Sequence, residues 1–155
     1  MRLKWCMPMS KVCAFFGHRD VWRDISDPLE LAIRSAITEH GISTFWVGGY
    51  GSFDSTAAGC VRRLKNEYPH ISLHLILAYL PTKKDPLEDM YDSTIYPEGL
   101  ELVPKRFAIS KRNQWIVKNC DMVIGYVDHR YGGAYDSYRM AEKAGRTILN
   151  LGCLE

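Results

Sequence analysis

A three-layer α/β/α sandwich around a mostly parallel sheet is the fold this sequence predicts, and three observations predict it. Short apolar runs alternate with helical patterns along the chain, as strands linked by crossover helices do. The run Val12-Cys13-Ala14-Phe15-Phe16 is apolar without alternation, as a strand covered on both faces must be. Two glycine-bearing turns, Gly48-Gly49-Tyr50-Gly51-Ser52 and Tyr131-Gly132-Gly133-Ala134, each follow a strand-like run and precede a helical pattern. Glycine lets the backbone take φ > 0 and approach a ligand, and the free N–H groups of the next helix attract an anion. With 155 residues and 46% hydrophobic content, a single domain over residues 11–155 is expected, preceded by a loosely ordered tail over residues 1–10.

The first strand, Val12 to Phe16, stops at Gly17. After a polar loop, Asp27-Pro28-Leu29-Glu30 offers an N-cap, a proline at the first helical position and a carboxylate in the first turn. Leu29, Ile33, Ala36 and Ile37 then recur at helical spacing until Gly41. Thr44 to Val47 reads as the second strand. From Ser52, the residues Ala57, Cys60, Val61, Leu64 and Tyr68 mark one face of a second helix that Pro69 ends. Ile71 to Tyr79 is a third strand, apolar on both faces and closed by Pro81.

Thr82 to Gly99 lacks periodicity and holds Pro86, Pro97 and Gly99, so it reads as a long loop, a class of segment that is often functional. Leu100 to Val103 is expected as a short fourth strand, and Pro104 to Asn119 as a helix opened by its proline. Asp121 to Val127 is the fifth strand, Ala134 to Ala144 a helix ended by Gly145, and Thr147 to Leu151 the last strand. Right-handed crossovers gather the loops after strands one, two and five at the carboxyl edge, where such sheets bind ligands.

Composition narrows the function. Twenty basic against eighteen acidic residues leave a formal charge of +2, too balanced to announce a nucleic-acid or membrane surface. The five cysteines are odd in number and form no Cys-x-x-Cys pair, so reduced thiols are expected, with neither a metal nor a cofactor. No apolar stretch approaches the ~18 residues of a membrane span, and the first residues lack a signal peptide's apolar core. A cytoplasmic protein is expected. No Walker lysine, Gly-x-Ser-x-Gly elbow or zinc motif is present, which sets those enzyme classes aside.

The candidate site residues each admit two readings. Gly17-His18-Arg19 follows the first strand, where Arg19 could grip a phosphate through paired N–H donors or form an ordinary salt bridge. His18 is a base or a loop hydrogen-bonder. Gly48, Gly49, Tyr50, Gly51 and Ser52 would cradle a phosphate. Asp54 in the following helical turn either caps the helix or contacts a ribose, and as a catalytic carboxylate it would stabilise an oxocarbenium-like sugar. Arg112 and Asn113 reach a ligand or solvate a helix face. Gly132, Gly133 and Ala134 form the second anion-binding turn, with Asp136 as a second candidate catalytic carboxylate, and Tyr131, Tyr135 and Tyr138 could stack on a base.

These blocks resemble the SLOG superfamily, named for the Smf/DNA-processing protein A and LOG proteins, and in particular its YpsA-like branch. The resemblance rests on Phe16-Gly17-His18-Arg19, on Gly48-Gly49-x-Gly51-x-x-Asp54-x-x-Ala57-Ala58, on the segments Lys65 to Pro69 and Leu73 to Leu75, on Arg112-Asn113-x-x-Ile116-Val117, on Asp121-x-Val123-Ile124, and on Gly132-Gly133-Ala134. It implies a Rossmann-like fold that binds a nucleotide or nucleotide-derived small molecule, possessed in the LOG members of the ability to release the base from a nucleoside monophosphate. LOG enzymes carry a glutamate after their glycine turn. Here Gly132-Gly133-Ala134-Tyr135-Asp136 lacks it, which counts against base hydrolysis. The Smf relationship implies a further alternative, single-stranded DNA binding through Arg62, Arg63 and Lys65, which the balanced charge disfavours. Four tryptophans, Trp5, Trp22, Trp46 and Trp115, are compatible with a homodimer or with core packing.

Overall fold

The computed structural model of the chain describes residues 10–81 and 90–154. The expected tail, Ser10 aside, and residues 82–89 of the expected loop lie outside the described residues. The elements are β1 (Lys11–Gly17), α1 (Ser26–His40), β2 (Ile42–Val47), α2 (Ser52–Leu64), β3 (Ser72–Ile76), β4 (Ser93–Ile95), α3 (Ala108–Asn119), β5 (Met122–Tyr126), α4 (Gly133–Lys143) and β6 (Thr147–Asn150). All strand pairs are parallel, in one six-stranded sheet of order β4-β3-β2-β1-β5-β6. This is the Rossmann-like α/β architecture the alternation predicts.

Side-chain alternation along the central strands divides the core in two. Cys13 and Phe15 of β1, with Phe45 and Val47 of β2, pack under Leu29, Ile33 and Ala36 of α1 and Ala57 and Val61 of α2. Ala14 and Phe16, with Trp46 and Val123, pack instead against Ile116 and Val117 of α3 and Ala141 of α4. Each face of the sheet is therefore covered by its own pair of helices. Phe15 stacks on Phe45 with ring centroids 5.8 Å apart. Asp121 completes the edge of this centre: its N–H donates to the Val12 carbonyl and its carboxylate accepts the Val12 N–H, both at 2.8 Å.

Three expectations need correction. The fourth strand is not Leu100 to Val103. That segment is a 3-10 turn over Leu100–Leu102, entered through Gly99 at φ 87°, with Leu100 buried and Leu102 84% exposed. The strand is Ser93–Ile95, inside the stretch read as loop, and it pairs with β3 from His74↔Ser93 to Ile76↔Ile95. The first helix also begins earlier than its proline suggests. Ser26 opens it, the Ser26 N–H donates to Asp24 Oδ1 at 2.9 Å, and Asp27 sits inside the first turn, where its charge complements the helix dipole. A 3-10 turn, Lys105–Phe107, likewise separates Pro104 from α3.

Gly17 marks how closely α2 presses on the end of β1. A Cβ there would lie 2.2 Å from the Phe53 ring, and Phe53 is buried in the core. Gly17→Ala is therefore expected to cost roughly 1–3 kcal/mol through overpacking, read as a lower urea midpoint with an unchanged slope.

Candidate functional site

In the observed strand order, β1 has β2 on one side and β5 on the other, so the chain leaves the sheet in opposite directions from two adjacent strands. The loops beyond them separate and open a crevice at the carboxyl edge. A cleft of about 690 Å³ lies there, floored by Phe15 and Phe16 and walled by residues of the loops after β1, β2 and β5 and by α3.

Two helices enter this region through glycines of nearly the same shape. Gly51 precedes α2 at φ 91°, ψ 173°, and Gly132 precedes α4 at φ 92°, ψ 173°. Neither helix has a side-chain cap, and the conformation is one that L side chains rarely adopt. Their free ends differ in use. On α2 the Ser52 N–H donates to the Arg19 carbonyl at 2.8 Å, the Ser52 hydroxyl donates to the same oxygen at 3.0 Å, and the Val21 N–H donates back to that hydroxyl at 2.9 Å. Ser52 thus ties the loop after β1 to the helix. On α4 the N–H groups of Gly133 and Ala134 have no protein acceptor among the described residues, and both residues line the cleft.

His18 is 8% exposed. Its Nε2 accepts the Asp128 N–H at 3.1 Å, which places the ring proton on Nδ1. Burial and the neighbouring His129 hold it below the usual histidine range, so it is neutral at pH 7. The ring lies 3.5 Å from that of His129 at an interplanar angle of 9°, and His129 in turn tilts against Tyr131 at 4.1 Å. His18, Asp128 and His129 bring metal-type ligand atoms within 4.8 Å of one another. A metal binds imidazole along the in-plane nitrogen lone pair, and two parallel rings stacked at this distance share no in-plane point. As arranged, the trio is a hydrogen-bonded stack rather than a chelate.

Arg112 is 4% exposed. Its Nη1 donates to the carbonyls of Gly48 at 3.1 Å and Ile76 at 2.9 Å, and its Nε donates to Asn113 Oδ1 at 2.9 Å. The guanidinium carbon lies 5.6 Å from the Tyr50 ring centroid. A Cβ on Gly48 would come within 2.9 Å of the guanidinium, so the glycine makes room for the arginine. Asp54 faces the same turn, where it accepts the Tyr50 N–H at 3.2 Å and feels the nearby N–H groups of Gly49 and Gly48. Burial pushes its carboxyl up to about 7, against the opposing pull of Arg112 and those N–H groups.

The cleft brings together Gly17, His18, Arg19, Gly48, Tyr50, Asp54, Arg112, Asn113 and the turn from Gly132 to Ala134. Gly49, Gly51 and Ser52 belong to the adjoining turn and do not line it. Asp136 is exposed on the first turn of α4, also outside the lining, so the two carboxylates nominated for catalysis are not partners across the cleft. Ile109 and His129 line it without having been singled out. His129 stands just beyond the fifth strand at the carboxyl edge, the same kind of position that drew attention to His18.

No family model matches the sequence, and no curated protein matches it. Among solved structures the chain is similar to TM1055, at 14% identity and a TM-score of 0.57, covering 89% of this chain and 72% of that one. It is similar to DNA processing protein A from Helicobacter pylori, whose structure describes a single-stranded DNA binding mode, at 17% identity and a TM-score of 0.61, covering 90% of this chain and 64% of that one. It is similar also to the Moco carrier protein from Chlamydomonas reinhardtii, at 14% identity and a TM-score of 0.54, covering 92% and 76%. All three share the Rossmann-like α/β fold that the sequence predicts. At these identities the likeness is one of fold. None of the helices among the described residues is long and apolar enough to cross a membrane.

Proposed function

We propose that the cleft binds a phosphorylated nucleoside or a nucleotide-derived ligand, with its phosphate at the N-terminus of α4. The observation that carries this reading is the uncapped turn at Gly132 to Ala134, whose unpaired N–H groups border the cleft and suit an anion. The exposed Tyr131 ring, in contact with the His129 ring that stacks on His18, offers a planar face to a base.

Gly133 supplies the test. A Cβ there would meet nothing within 4 Å and no positive φ stands in its way, so Gly133→Ala fits the folded protein without a clash and adds a methyl group at the turn where the phosphate would lie. Calorimetric titration with a panel of nucleoside monophosphates should show at least a tenfold weaker affinity for the variant, equivalent to about 1.4 kcal/mol. Equal affinities would remove this turn from the site.

A second reading, release of the base from a nucleoside monophosphate, draws on Asp54, whose carboxyl at about 7 is poised to exchange a proton near neutrality. Free base formed by the wild type and not by Asp54→Asn would establish it. The nucleic-acid alternative has less support. Arg62 donates to the Met90 carbonyl at 2.9 Å and stacks over Tyr91, and Lys65 pairs with Asp92 at 2.6 Å, so these cations already have protein partners.

A further inference from the structure

A second depression of about 610 Å³ adjoins the nucleotide cleft. Asp20 and Trp22 belong to the walls of both, so the second, an open trough, lies directly beside the first. The far part is walled by Arg23, Tyr126, Asp128 and Cys153. Either part alone falls within the roughly 300–1,000 Å³ typical of small-molecule sites, and a single nucleoside would leave one of them empty.

Trp22 is 96% exposed. The chain packs other tryptophans, as the stacking of Trp46 on Trp115 at 5.0 Å shows, so this indole stands in water at a position where packing does not employ it. Its backbone is nevertheless anchored, because the neighbouring Val21 N–H is bound to the Ser52 hydroxyl. The guanidinium of Arg23 lies 5.7 Å from the Tyr126 ring centroid, which gives the far part a second flat surface. Asp20 and Asp128 border it as carboxylates. They oppose a further phosphate there and can accept hydrogen bonds from exocyclic amines.

We infer that this trough is a second subsite for a planar heterocycle stacked on Trp22, so that the preferred ligand is a dinucleotide with one base in each hollow. The inference rests on the phosphate reading given above. An aromatic side chain held at a site's rim is well suited to the task, since base–aromatic stacking adds affinity without demanding a particular base.

The test compares adenosine monophosphate with diadenosine diphosphate by calorimetry and by tryptophan fluorescence. The dinucleotide should bind at least tenfold more tightly and quench emission, and the Trp22→Ala protein should lose both the quenching and the affinity advantage. Because Trp22 is almost fully exposed, that variant is not expected to disturb folding. Cys153→Phe adds bulk to the lining of the far part and should abolish the advantage while leaving adenosine monophosphate affinity intact. Equal affinities for the two ligands, or an advantage that survives both substitutions, would overturn the second subsite. So would Trp22-dependent dimerisation on sedimentation, which would make the trough an interface between copies. Failure of adenosine monophosphate to bind at all, by contrast, strikes the phosphate reading itself.

Discussion

Exchange of Arg112 for methionine is expected to destabilise the protein by about 2–5 kcal/mol, since each buried acceptor left without its donor costs about 1–3 kcal/mol. Three acceptors lose their donor at once: the carbonyls of Gly48 and Ile76 and the Asn113 amide oxygen. Those carbonyls belong to the turn after β2 and to the end of β3, so the arginine on α3 fastens two neighbouring strand ends. Asp54 also loses the positive charge that opposes its upward shift, and its carboxyl should move further up. Arg112→Lys is expected to recover only part of the loss, because a single ammonium cannot reproduce the fork that spans these acceptors. Urea unfolding of the three proteins checks the order, wild type above lysine above methionine. A methionine variant within about 1 kcal/mol of wild type would show that the site tolerates unmet carbonyls far better than buried polar groups usually do.

Asp54→Asn should remove most of a pH dependence that the wild type displays. The folded carboxyl sits at about 7, whereas an unfolded aspartate titrates near 3.9. Between those values the folded chain holds a proton that the unfolded chain has released, so stability falls as pH rises through this window. The contribution is present in full below about pH 4 and spent by about pH 7, on the order of 2–4 kcal/mol across that span. Asparagine keeps an acceptor for the Tyr50 N–H and carries no proton to lose, so its unfolding free energy should stay flatter from pH 4 to 7. The same ionisation bears on binding. An anionic ligand in a cleft lined by Asp54 should bind more weakly to the wild type as pH rises from 6 to 8. Asp54→Asn should lack that trend, and the difference between the two proteins cancels the titration of the ligand's own phosphate. Parallel profiles for both would place the Asp54 proton outside this range.

The alternation of strands and helices was legible because burial on two faces leaves a strong mark. Cys13 to Phe16 and Val123 to Val127 must be apolar throughout, and the helices covering them must carry one apolar stripe. The edge of the sheet leaves no such mark. Ser93, Thr94 and Ile95 pair on one side only and are largely exposed, so they need no apolar pattern, while Leu100 and Leu102 imitate a strand that the Gly99 turn forbids. Within the site, the glycine turns were readable because a backbone conformation restricts the residue type. Arg112 was nominated as well, but its burial was not readable, since a charged residue within a helical pattern looks the same whether it faces solvent or lies under a neighbouring turn. The stack of His18 on His129 joins residues far apart in sequence, and only the pairing of β1 with β5 brings their loops together.

The placement of β1 has a consequence for how the chain is made. Synthesis delivers this strand first, and its partner on one side, β2, follows within a few dozen residues, but Phe15 waits for Ile124 on the other. A nascent chain that has emerged only through β4 can assemble four of the six strands, with β1 as its raw edge and with Ala14 and Phe16 bare on the face that α3 and α4 later cover. Such edges recruit stray strands, and pairings between distant segments form slowly. The vulnerable interval ends when β5 slots in beside β1, and that late-closing seam is the one along which the cleft opens. A small molecule lodged there would act on maturation as well as on the finished protein, drawing the chain toward the closed seam in proportion to its concentration.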